Sequence, residues 1–237
     1  MIPLHDDNPT EIPPYLTLGL IVACALVFLW QLSLGEHTDL AVYSLGAIPA
    51  VVLGHATLAP EISLLPPWTT VLTSMFLHGG WMHLLGNMLY LWIFGNNVED
   101  AMGHVRFIVF YLLCGTAAVF AQALPNPEST VPMIGASGAI SGVLGAYLML
   151  FPHARVLVAL PLGLVLYTVR LRAAWVLGFW FVLQLVSSLV TAEEEGGGVA
   201  WGAHLGGFIA GMLLVLVFRR RGIPLFAPAR NDLPPDL

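Results

Sequence analysis

The chain alternates long apolar stretches with short polar breaks. Windows long enough to cross roughly 30 Å of hydrocarbon, about 20 residues each, fall at 15–34, 104–124, 172–191 and 201–218. Two more stretches are apolar but interrupted: 80–97 carries His83 and Asn87, and 136–151 opens on Ser137 and is broken by Pro152. Together they predict an all-α polytopic membrane protein, a bundle of six transmembrane helices. Turn-forming residues separate the windows at Gly35 to Asp39, Pro60 to Pro67, Pro125 to Ser129 and Glu193 to Gly198. The segment 156–171 is also apolar, but Pro161 interrupts it and arginines flank it on both sides. A crossing there would place arginines on opposite faces of the membrane, so the pattern predicts an interfacial or re-entrant connection.

Composition points the same way. Apolar residues make up 58% of the chain and charged residues 9%, which a water-soluble domain of this size does not tolerate. Lysine is absent, and the arginines are Arg106, Arg155, Arg170, Arg172, Arg219, Arg220, Arg221 and Arg230. They follow the second, fourth and sixth windows and occur nowhere else. The positive-inside rule then puts both termini in the cytoplasm and the loops 35–79, 125–135 and 192–200 outside. The first of these loops is itself rich in Leu, Val and Pro, which predicts an interfacial position. No basic residue precedes the first apolar window and no small-residue cleavage pattern follows it, so that span is expected to be retained. Cys24 and Cys114 lie inside predicted helices and are read as packing groups. With no linker or fixed-period repeat, 1–237 is read as a single membrane domain.

Polar side chains at membrane depth are costly and commonly functional. Ser137 sits in Gly135-Ala136-Ser137-Gly138 and His204 in Gly202-Ala203-His204-Leu205-Gly206-Gly207, each at the outward end of its window. A serine hydroxyl becomes a nucleophile when a base takes its proton, and a neutral imidazole is such a base. Gly138, Gly142 and Gly145 on one helix, and Ala203, Gly207 and Gly211 on the other, form small-residue stripes that let two helices meet closely. His83 and Asn87 are four residues apart and share a helix face, so both can donate to one developing oxyanion. Taken singly, Ser137 reads better as the start of a tightly packed helix, and His204 and the His83/Asn87 pair read equally well as structural polar groups; depth-matched, they favour acyl-transfer chemistry. No Asp or Glu accompanies Ser137 or His204 in the spans, which predicts a two-residue mechanism and disfavours an aspartyl protease. The histidine spacing is not that of a zinc hydrolase, so neither metal nor cofactor is expected.

These residues resemble the signature of the rhomboid intramembrane serine proteases, in their compact six-helix prokaryotic form. The matching positions are His78, His83 and Asn87 on the second helix, Gly135 to Gly138 opening the fourth, and Ala203 to Gly207 with Gly211 on the sixth. The resemblance implies Ser137 as nucleophile, His204 as base, His83 and Asn87 as oxyanion donors, and His78 as a structural histidine. Gly95 and Glu99 resemble a Gly-x-x-x-Glu element with a structural role. It further implies single-pass transmembrane protein substrates with small residues at the cut, the lipid bilayer as surroundings, no nucleic acid partner, and a bacterial plasma membrane location. The fifth span and the Glu193 to Gly198 loop are the expected gate. The chain departs from the family pattern at Ser141, where an aromatic usually supports the histidine. Ser141 or Trp201 is expected to support His204 instead. It also shows Pro67-Trp68-Thr69-Thr70 in place of a Trp-Arg pair. The competing readings are a catalytically silent rhomboid-like protein that binds membrane clients, and a proton-relay transporter, which would require acidic residues within the spans.

Overall fold

A computed structural model describes residues 1–163, 165–190 and 200–228. Helix α1 (Tyr15–Ser33) is followed in the first loop by the short α2 (Thr38–Leu45), α3 (Pro49–Val52) and α4 (Pro67–Thr73). Then come α5 (Trp81–Met102), α6 (His104–Ala123), α7 (Ser137–Leu150), α8 (Ala173–Val190) and α9 (Trp201–Phe218). Among the described residues, three helices (α1, α6 and α9) are long and apolar enough to cross a membrane, while α7 and most of α8 are shorter apolar helices. α5 is longer, at 22 residues, but carries His83, Asn87, Asn96, Asn97, Glu99 and Asp100. Length and composition alone therefore do not reach the expected six crossings.

α7 is the hub of the bundle, buried at every position from Gly138 to Tyr147. Its glycines make this possible. A Cβ at Gly207 would collide with the Gly138 carbonyl, one at Gly211 with the Gly142 carbonyl, and one at Gly145 with the Phe208 carbonyl. The backbones of α7 and α9 thus touch directly, in a setting where packing drives association. On the α6 side, Gly142 packs against Cys114. Both cysteines are buried and free.

The fold is not all-α: the segment 156–171 lies in a hairpin of two strands. Strands β1 (Ile2–Asp6), β2 (Arg155–Leu162) and β3 (Val165–Arg172) form an antiparallel sheet in the order β1-β2-β3. The period of two is present in the residues: Val156 and Val158 are fully buried on either side of the less buried Leu157, and Val169 and Leu171 alternate with exposed Thr168, Arg170 and Arg172. Gly163, with φ of 61°, supplies the turn. The alternation is hard to read because many outward-facing positions are apolar as well.

Polar anchors tie this end of the bundle together. The Tyr147 hydroxyl donates to the buried Asp6 carboxylate at 2.6 Å. Burial, the dominant effect, pushes the Asp6 carboxyl up to about 6. Pro14 offers α1 no side-chain cap. Instead the fully buried Glu99 of α5 accepts the amides of Leu16 and Thr17 at 2.9 and 2.8 Å, the Thr17 hydroxyl at 2.7 Å, and a bond from His104 at 2.6 Å. A carboxylate from a second helix thus satisfies donors that α1 leaves free. Gly95, one turn earlier, lies beside Thr17. Arg220 pairs with Asp100 at 3.0 Å, and the Asp7 carboxylate accepts the Arg155 amide at 2.7 Å. The N-terminal strand, the hairpin and the ends of α5 and α9 therefore share one end, opposite the start of α7.

Candidate active site

The chain enters α7 through a strained turn. Met133 bridges to Ala47, the Gly135 amide donates to the Ser74 carbonyl at 2.8 Å, and Gly135 adopts φ of 120°. Ser137 is the first residue of the helix, and Ala136 provides no side-chain cap. The first-turn amides are left without intrahelical acceptors, and the positive end of the helix dipole lies beside the serine hydroxyl.

Ser137 and His204 come together. The Ser137 hydroxyl donates to His204 Nε2 at 2.8 Å, and the far side of the ring donates from Nδ1 to Gln184 Oε1 at 2.6 Å. Trp180 and Trp201 flank the imidazole, with ring centroids at 6.1 and 5.9 Å and Trp201 edge-on at 88°. Ser141 does not touch the histidine: its hydroxyl donates to the Ser137 carbonyl at 2.7 Å. One turn down the same helix, a serine reaches its own i−4 carbonyl more readily than a ring on another helix.

His83 and Asn87 face the turn before the serine. The Gly79 amide donates to His83 Nδ1 at 3.3 Å, which leaves the proton on Nε2. A Cβ at Gly135 would lie 2.7 Å from that Nε2 and 3.7 Å from Asn87 Nδ2. A side chain at Gly135 would therefore displace the His83 ring, and the positive φ independently favours glycine. Asn87 is buried and its amide nitrogen has no acceptor among the described residues. Two donors on one helix face therefore converge on a point two residues before Ser137. His78 is a scaffold residue, 2% exposed, whose amide donates to Gln31 at 2.9 Å and whose ring donates to the Phe76 carbonyl at 3.2 Å. A cavity of about 40 Å³ beside Ser137 is lined by small residues including Gly115, Ala118, Gly138 and Ala203, with Met75 and Met133.

Sequence reasoning missed Gln184, Trp180 and Gln31. For Gln184 the signal was present, since it is the only amide side chain in the apolar window 172–191. The expected gate at Glu193 to Gly198 lies outside the described residues.

A family model described as the rhomboid domain matches residues 66–221, about two thirds of the chain. The chain belongs to the rhomboid family. It is 32% identical over 148 residues to Rhomboid protein 1, mitochondrial, of Saccharomyces cerevisiae, covering 61% of this chain and 40% of that protein. It is 32% identical over 169 residues to Rhomboid-like protease 5 of Toxoplasma gondii, covering 65% and 17%. Rhomboid protease GluP of Bacillus subtilis is 43% identical over 81 residues, covering 34% and 15%. This rhomboid spans less than half the length of each of these three relatives. Ser137, His204, His83, Asn87 and Gln184 all lie within its rhomboid domain, while β1 and α1 precede it. Family membership and the apolar helices together make it an integral membrane protein.

Proposed function

We propose that this rhomboid is an intramembrane serine endopeptidase that cuts transmembrane segments of single-pass proteins, with Ser137 as nucleophile and His204 as general base. The observation that carries this reading is the 2.8 Å hydrogen bond from the Ser137 hydroxyl to His204 Nε2. As Ser137 Oγ attacks the peptide carbonyl, its proton passes to His204. The carbonyl oxygen takes up negative charge and is met by His83 Nε2–H, the Asn87 amide and first-turn main-chain NH groups. Collapse breaks the C–N bond, and His204 protonates the departing amine. Water then attacks the acyl-serine with His204 again as base, releasing the acid and restoring the hydroxyl.

The depth of the site fits this chemistry. α7 has 14 residues, about 21 Å at 1.5 Å per residue, against roughly 30 Å of hydrocarbon. With its far end level with the arginine-bearing sheet, Ser137 starts below the opposite surface. In this reading α1 and α5 to α9 are six crossings of a single domain spanning 1–237, both termini are cytoplasmic, and the protein resides in a bacterial plasma membrane. The small-residue cavity beside Ser137 suits a small side chain at the cut.

The test is cleavage of single-pass substrates in proteoliposomes. Wild type is expected to release a fragment cut within the apolar segment, while Ser137→Ala and His204→Ala leave substrate intact. Fragment release that persists in Ser137→Ala would refute the proposal.

A further inference from the structure

We infer that Gln184 is a positioning residue for His204, the third member of a Ser137–His204–Gln184 relay; the inference rests on the serine protease reading above. The geometry runs in one line. Gln184 Oε1 accepts from His204 Nδ1 at 2.6 Å, and His204 Nε2 accepts from the Ser137 hydroxyl at 2.8 Å. A neutral imidazole carries one proton, so the nitrogen that serves as base must be the bare one. By engaging the Nδ1 proton, the glutamine carbonyl holds the tautomer that leaves Nε2 free to accept.

The placement of Gln184 supports this role. It is 8% exposed, in a helix whose side chains from Trp175 to Val186 are otherwise apolar or aromatic. An amide in such a setting is costly without a partner. Trp180 lies four residues earlier, on the same face of α8, and its ring flanks the same imidazole. α8 thus presents a ring and an acceptor, one turn apart, to the one histidine that touches Ser137. A carboxylate at this position would hold the tautomer as well, but at the cost of a charge in hydrocarbon. The amide supplies the acceptor without that charge.

The experiment is the rate of Ser137 labelling by a fluorophosphonate probe in detergent micelles. In that reaction Oγ forms a bond to phosphorus, fluoride leaves, and the serine proton passes to His204. Gln184→Met keeps length and removes the acceptor; Gln184→Glu keeps the acceptor. The maximal labelling rate of Gln184→Met is expected to fall roughly 10- to 100-fold with the half-saturating probe concentration unchanged. Gln184→Glu is expected to stay well above it. A structural role predicts the opposite order, because the buried charge would disturb packing more than the thioether. Labelling by Gln184→Met at the wild-type rate, or by Gln184→Glu no faster than Gln184→Met, overturns the inference. A second measurement does not depend on variants at this position. In full-length protein with ¹⁵N-labelled histidine, assigned by loss of signal in His204→Gln, the His204 resonances are expected to show the Nδ1–H tautomer. The Nε2–H tautomer overturns the inference. Wild type that the probe never labels at Ser137 would sink the serine protease reading itself, and this inference with it. A wild type that labels alongside an unaffected Gln184→Met sinks only the relay.

Discussion

Asn87 holds a buried amide with no acceptor among the described residues, facing the turn that delivers Ser137. A donor kept unpaired in a low-dielectric setting is expensive unless charge appears there during a reaction. Asn87→Ala is therefore expected to lower kcat on a transmembrane substrate by roughly 100-fold with little change in KM. Ser141→Ala should leave both nearly unchanged, because its hydroxyl is engaged by the Ser137 carbonyl. Steady-state kinetics in proteoliposomes checks the pair, and a large loss in Ser141→Ala would contradict the assignment. Ser137, His204, His83 and Asn87 stand out in the sequence because each is a reactive or donor group inside an apolar window. Gln184 carries the same signal, but an amide has no chemistry of its own. Its meaning comes from an imidazole 20 residues away on another helix. Ser141 shows the converse: its position on α7 was legible, while the partner its hydroxyl selects was not.

Between elements, the contact that matters most is the backbone seam of α7 and α9. The stripes Gly138, Gly142, Gly145 and Gly207, Gly211 were readable as a close-packing surface, since periodic glycines in an apolar helix have few other uses. The seam sets the separation of Ser137 from His204, so enlarging it acts on the site at a distance. Gly211→Val would drive its Cβ into the Gly142 carbonyl, which is backbone and has no rotamer to yield. It is expected to cost about 2 to 3 kcal/mol of stability and to abolish probe labelling of Ser137. Denaturant unfolding in mixed micelles alongside labelling tests this, and an unchanged midpoint would contradict the seam. The hairpin was not legible in the same way. Its inward valines alternate correctly, but apolar residues on the outer face hide the alternation, and the completing strand Ile2–Asp6 lies some 150 positions away. Such pairing is long-range, so no local pattern announces it.

At the scale of the whole molecule, reactive groups gather at one end and charged anchors at the other. Asp6 is among those anchors, buried under Tyr147 with its carboxyl raised to about 6 from 3.8. A raised carboxyl favours the folded state in its protonated form. That stability is complete below pH 3.8 and is lost as pH rises through about 6. A shift of this size is worth roughly 3 kcal/mol. The thermal midpoint of wild type in detergent is therefore expected to fall relative to that of Asp6→Asn between about pH 4 and pH 7; parallel curves would contradict the buried carboxyl. The central claim concerns the other end of the molecule, where a hydroxyl and an imidazole from α7 and α9 act as one unit. Its most direct test is mass-spectrometric mapping of the fluorophosphonate adduct on intact wild type and on His204→Ala. The account predicts a single adduct on the peptide containing Ser137 in wild type and none in His204→Ala. An adduct on another serine, or equal modification of Ser137 without the imidazole, would contradict it.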